Sequence, residues 1–85
     1  MISMLCLDRG FLHDKYIIAL NECFMQEGFD FNFEYHTIEN TYEKYFGVIN
    51  FPTFILCKNG KEIQRLVGKH STGEVIEWIK GTSRV

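Results

Sequence analysis

No two cysteines in this chain stand at a short spacing. The three present, Cys6, Cys23 and Cys57, are odd in number and far apart. That excludes a Cys-x-x-Cys dithiol motif, and it suits reduced thiols in a cytosolic compartment better than a secreted disulfide framework. Basic runs and aromatic–basic interleaving are missing too, and with a net charge of −2 the chain offers no footprint for nucleic acid. No apolar run approaches the length of a membrane span. Met1 to Leu7 is apolar but lacks the basic start and the length of a signal peptide. The seven glycines fall singly at element ends, so no glycine-rich phosphate loop is present. His13, His36 and His70 show no metal-ligand spacing with Cys or Asp. Asp and Glu are scattered through polar faces, and no pair stands out for acid–base work. Neither a cofactor nor a metal is implied.

What is abundant is apolar and aromatic material. Of 85 residues, 46% are hydrophobic and 15% aromatic, eight of them Phe. Each fully buried Phe contributes about 1.5–3 kcal/mol, so a single domain over residues 1–85 can build a core without metal or disulfide staples. Ile2–Leu7 reads as a buried strand closed by the turn Asp8-Arg9-Gly10. From His13 to Gln26 the period becomes helical, with Ile17, Leu20 and Phe24 on one stripe and Gly28 past the end. Phe29, Phe31, Phe33 and Tyr35 alternate with polar residues as a strand does. Glu39 to Phe46 holds one or two helical turns, ended by Gly47. Val48 to Cys57 is strand-like, with Pro52 restricted to its start or edge. Asn59-Gly60 is a two-residue hairpin signal leading to a partner strand over Glu62–Val67. Ser71-x-x-Glu74 has the spacing of a capping box ahead of Val75, Ile76, Trp78 and Ile79. The order is β-α-β-(short helix)-β-β-α: a parallel βαβ unit, then an antiparallel hairpin and a covering helix.

The stretch Tyr45-Phe46-Gly47-Val48-Ile49-Asn50-Phe51-Pro52-Thr53-Phe54-Ile55-Leu56-Cys57-Lys58-Asn59-Gly60 resembles the second half of thioredoxin. The resemblance continues without a gap through Val67-Gly68 and the Ser71–Ile79 helix, about half of the chain. It implies a minimal, glutaredoxin-sized thioredoxin-like fold: a four-stranded mixed sheet with helices on both faces, lacking the family's usual first strand and helix. It further implies that the Phe51–Pro52 peptide is cis and faces the start of the first helix. Counting back from Lys15, the family's Cys-x-x-Cys-Lys falls on Phe11-Leu12-His13-Asp14-Lys15. Phe11 stands in place of the nucleophilic thiol and Asp14 in place of the resolving one. Dithiol exchange needs both sulfurs, so this chemistry is not expected here.

In thioredoxin-like proteins the surface around the cis-proline holds extended peptides. Carried over, that surface comprises Phe11, Leu12, His13, Asp14, Phe51, Pro52, Thr53, Val67 and Gly68, and the expectation is a redox-inactive module that binds a protein or extended-peptide partner there. Phe11 either forms part of an exposed apolar patch or folds inward and plugs the vacant site. His13 is either solvated or meets an anion. Two rival functions stand beside this one: an atypical or monothiol redox protein working through Cys6 or Cys23, and a structural subunit of a larger assembly. For Cys6, Cys23 and Cys57 alike, the plain alternative is a small buried core residue.

Overall fold

Ile2–Leu7 forms the first strand, β1. It lies inside the sheet with a neighbour on each side, and both of its faces are covered: Met4, Leu5, Cys6 and Leu7 are all buried. That double burial is why it reads as a continuous apolar run and not an alternating one. The computed structural model describes residues 2–82. Met1, the first residue of the apolar amino-terminal run, lies outside the described residues, as do the last three positions of the 1–85 domain.

After β1 come α1 (Asp14–Gln26), β2 (Asn32–His36), α2 (Thr41–Phe46), β3 (Thr53–Lys58), β4 (Lys61–Val67) and α3 (Thr72–Lys80). The strands lie in the order β2-β1-β3-β4, with β1 parallel to β2 and antiparallel to β3, and β3 antiparallel to β4. Side chains alternate across the sheet and define two cores. Met4, Cys6, Phe54 and Leu56 meet Leu20 and Phe24 of α1 and Val75, Ile76 and Ile79 of α3. Leu5, Leu7, Ile55 and Cys57 meet Val48, with Tyr42 and Phe46 of α2 packed against them. Helices therefore cover both faces of a four-stranded mixed sheet, an architecture consistent with a minimal thioredoxin-like α/β fold.

Local chemistry sets the boundaries. Asn59 and Gly60 both have positive φ (53° and 81°), as the two-residue hairpin turn between β3 and β4 requires. At α3 the Ser71 hydroxyl accepts from the Glu74 amide at 3.1 Å while the Glu74 carboxylate accepts from the Ser71 amide at 2.8 Å, the expected capping box. A second box, Asn40 with Glu43, starts α2. The second strand begins later than the alternation from Phe29 suggests. Gly28 (φ 73°) closes α1, and the Phe29 amide donates back to the Phe24 carbonyl at 3.0 Å. This Schellman-type closure commits Phe29 to the helix end, with its ring centroid 6.2 Å from that of Phe24. The alternation is real in its packing: Phe29, Phe31, Phe33 and Tyr35 all pack on the α1/α3 core.

Candidate functional site

The strand register places one end of the sheet at Leu7, His36, Thr53 and Val67. Those strand ends, the loops beside them and the first residue of α1 carry every position expected of the site. Asp8, the first residue past β1, is fully buried. Its amide donates to the His36 carbonyl at 2.8 Å, extending the pairing with β2. Its carboxylate accepts from the Leu12 amide (3.0 Å), the Phe11 amide (3.3 Å) and the Tyr35 hydroxyl (2.9 Å). Burial alone would raise the Asp8 pKa; the amide bonds from Leu12, Arg9 and Phe11 and the Tyr35 hydroxyl outweigh it, holding the group below the usual carboxylate value. Tyr35 responds in the opposite sense: burial first, then its bond to the Asp8 anion, pushes the phenol well above its ordinary value. The loop ahead of α1 is thus folded around one buried anion.

Phe11 is 53% exposed on that loop. It does not turn inward to plug the site. Leu12 beside it is half-buried and packs against the α1/α3 core. His13 is exposed and serves as the α1 N-cap through its backbone only, and Asp14 stands exposed in the first helical turn, where its charge meets the positive helix end. Across from this loop the Phe51–Pro52 peptide is cis. Pro52 and Thr53 are buried and offer no side-chain surface. The Thr53 hydroxyl donates to the Asn50 carbonyl at 2.6 Å. Gly68, at φ 99°, donates its amide to the Pro52 carbonyl at 2.8 Å, which fastens the end of β4 to the proline loop. Val67, next to it, is 47% exposed. The nine expected positions share one end of the sheet, and the apolar surface they present comes from Phe11, Val67 and part of Phe51.

Four residues complete this end that were not picked out from sequence: Asp8, Arg9, Tyr35 and Glu43. The Arg9 guanidinium lies over the Phe51 ring, 4.4 Å from its centroid. The same side chain pairs with Glu43 and donates to the Asp8 carbonyl at 2.9 Å. A further tie comes from Tyr16, whose hydroxyl donates to the His70 carbonyl at 2.6 Å, joining α1 to the loop after Gly68; burial pushes the Tyr16 phenol up to about 12. An Asp closing an apolar central strand, with the amides of Phe11 and Leu12 three and four positions later, was the available sequence signal.

All three cysteines are free thiols. Cys6 is fully buried on the α1/α3 side, and burial, with Asp8 adding to it, pushes its thiol well above the ordinary value. Burial raises Cys57 as well. Cys23 is half-buried on α1, nine residues past Asp14 and therefore about 13 Å along the helix from its start. Among the described residues no group of three His, Cys, Asp or Glu side chains is placed to hold a metal ion, and none of the described helices is long and apolar enough to cross a membrane.

No family profile matches the chain, and no curated protein does. Among solved structures, one described as the structure of a malarial protein is similar to it, with a TM-score of 0.73 over 98% of each chain at 17% sequence identity. At that identity the likeness concerns the fold alone, and the fold is a small mixed α/β one.

Proposed function

We propose that this chain is a thioredoxin-like family member without dithiol activity that acts as a protein-interaction module, holding an extended segment of a partner against Phe11, Leu12, His13, Asp14, Phe51, Pro52, Thr53, Val67 and Gly68. The observation that carries this reading is the placement of Phe11: more than half exposed, on a loop whose amides are tied to a fully buried carboxylate. A loop whose backbone is fixed before binding loses little conformational freedom on binding, and Phe11 and Val67 put two exposed apolar side chains at the same end of the sheet. Backbone groups flanking Pro52 supply the polar part of peptide capture, as the resemblance to thioredoxin implies.

Thiol chemistry has less support. No sulfur lies between Gly10 and Asp14. Cys6 is buried and held as the neutral thiol, the unreactive form. Cys23 lies too far up α1 to be activated by the helix start.

The test is selection of displayed extended peptides on the native protein, followed by affinity measurement on Phe11→Ser. Loss of a central aromatic anchor should weaken the selected peptides at least about tenfold. The same variant should shift stability by no more than about 0.5 kcal/mol, as an exposed substitution does. If Phe11→Ser chiefly lowers the thermal midpoint and leaves peptide affinity intact, Phe11 is a packing residue and the reading fails.

A further inference from the structure

A second site lies away from this rim. The sheet face opposite α1 and α3 is covered by one helix, the six-residue α2, together with Val48 and Phe51. Beside it opens a cavity of about 450 Å³ near Ser3 and the β3–β4 turn, at the other end of the sheet from Pro52. Its floor is apolar, from Leu5 and Cys57, and its wall is aromatic, from Tyr42, Tyr45 and Phe46. Phe46 lies nearly parallel to Tyr42 (28°, centroids 6.5 Å apart) and nearly perpendicular to Tyr45 (85°, 4.7 Å). The three rings therefore form a corner, and Tyr45 stands 71% exposed at its mouth. Among the described lining residues the one charged side chain is Glu34. Its carboxylate contacts Asn32 Nδ2 at 3.2 Å and His36 Nε2 at 3.1 Å. Two oxygens with about four lone-pair sites leave acceptor capacity beyond those contacts.

Three aromatic side chains in the lining offer the cavity π surface, and the Glu34 carboxylate adds the one full charge. That combination disfavours anions, and a neutral apolar guest would make no use of the acceptor capacity that Glu34 keeps beyond Asn32 and His36. It suits a cation that carries its charge on an apolar body, and the volume lies within the range of small-ligand pockets. We propose that this cavity binds a small alkylammonium ion, its methyl groups against Tyr42, Tyr45 and Phe46 and its charge toward Glu34.

The experiment titrates the ¹⁵N-labelled full chain with choline chloride, with its neutral isostere 3,3-dimethylbutan-1-ol in parallel and sodium chloride as the salt control. Choline should give saturable shifts at residues 41–46 and at Glu34, and the isostere should bind at least about threefold more weakly. Tyr45→Ala should weaken choline about two- to fivefold, the size of a cation–π contact at an exposed site, and Glu34→Gln by up to about fivefold, the size of an exposed ion pair. Tyr45 is exposed, so its variant keeps the fold; if Glu34→Gln does not fold, the wild-type comparison of choline with its isostere decides. Absence of saturable shifts, equal binding of the isostere, or shifts at these residues that follow protein concentration without ligand (a second copy in the groove) each overturns the proposal. Peptide capture at the Phe11 rim is untouched by any of these outcomes.

Discussion

Asp8→Asn should be among the most damaging single-atom changes available in this protein. Besides the nearby Arg9 amide, the wild-type carboxylate accepts three hydrogen bonds at 2.9–3.3 Å in full burial. Each bond to a charged acceptor contributes about 1.5–3 kcal/mol, and each buried donor left unpaired costs about 1–3 kcal/mol. Asparagine keeps one acceptor oxygen but turns an NH₂ group toward an N–H donor. One to two of the three bonds are then lost, a destabilisation of about 2–4 kcal/mol. For a domain of this size total stability is on the order of 4–13 kcal/mol, and the thermal midpoint should fall by roughly 10–25 °C. Urea unfolding followed by Trp78 fluorescence and circular dichroism measures it. The pH dependence gives a second check. Asp8 has a folded-state pKa below its ordinary 3.8, so its contribution is fully present above the unfolded value and is lost as pH falls through the folded one. The gap between wild type and Asp8→Asn should be constant from about pH 5 to 8 and close below about pH 4. A loss under about 0.5 kcal/mol, or a gap that persists unchanged to pH 2, would refute the claim that this anion organises the loop.

Tyr35→Phe removes one of the three donors without stranding another, so it should cost about 1 kcal/mol. Combined with Asp8→Asn it should cost less than the sum, because the two changes break the same bond. Thiol labelling of the native protein should modify Cys23 first, while the fully buried Cys6 reacts only on global unfolding, as read by peptide mapping in a mass spectrometer. Native-state labelling of Cys6 at a rate near that of Cys23 would contradict its burial and revive a monothiol reading.

Features decided within a few residues were readable from sequence; features decided across the chain were not. Asn59-Gly60 states its turn because positive φ at both positions selects those residues. Ser71 and Glu74 state the start of α3 because both partners of the box lie within one turn. The equivalent box at Asn40 and Glu43 starts α2 at Thr41, inside the stretch from Glu39 that the sequence pattern makes helical, and β2 starts at Asn32, later than the alternation predicts, since Phe29 suits a strand alternation and a helix closure equally well. Asp8 looked like a turn residue. Its burial depends on Tyr35, 27 positions away, and the place of Arg9 depends on Glu43, 34 positions away. The exposure of Phe11 follows from the same cause: once the Phe11 and Leu12 amides are committed to Asp8, the path of the loop carries the ring outward.

Glu43 joins these local and distant constraints. One of its oxygens accepts from the Asn40 amide at 3.0 Å and caps α2; the other takes the Arg9 guanidinium, which covers Phe51. The Arg9 backbone lies in the same loop as Phe11, so α2, the loop before α1 and the loop before Pro52 share one nearly buried carboxylate. Two buried carboxylates, Asp8 and Glu43, therefore hold the rim, and each has its oxygens engaged inside the protein. Neither is presented to a partner as a charge. What the rim can present is apolar surface from Phe11 and Val67 with His13 and Asp14 exposed at its margin. On the proposed reading, specificity for a partner comes from an apolar side chain seated beside Phe11 and from the charges flanking it, because the groups that fix the rim are already engaged in fixing it.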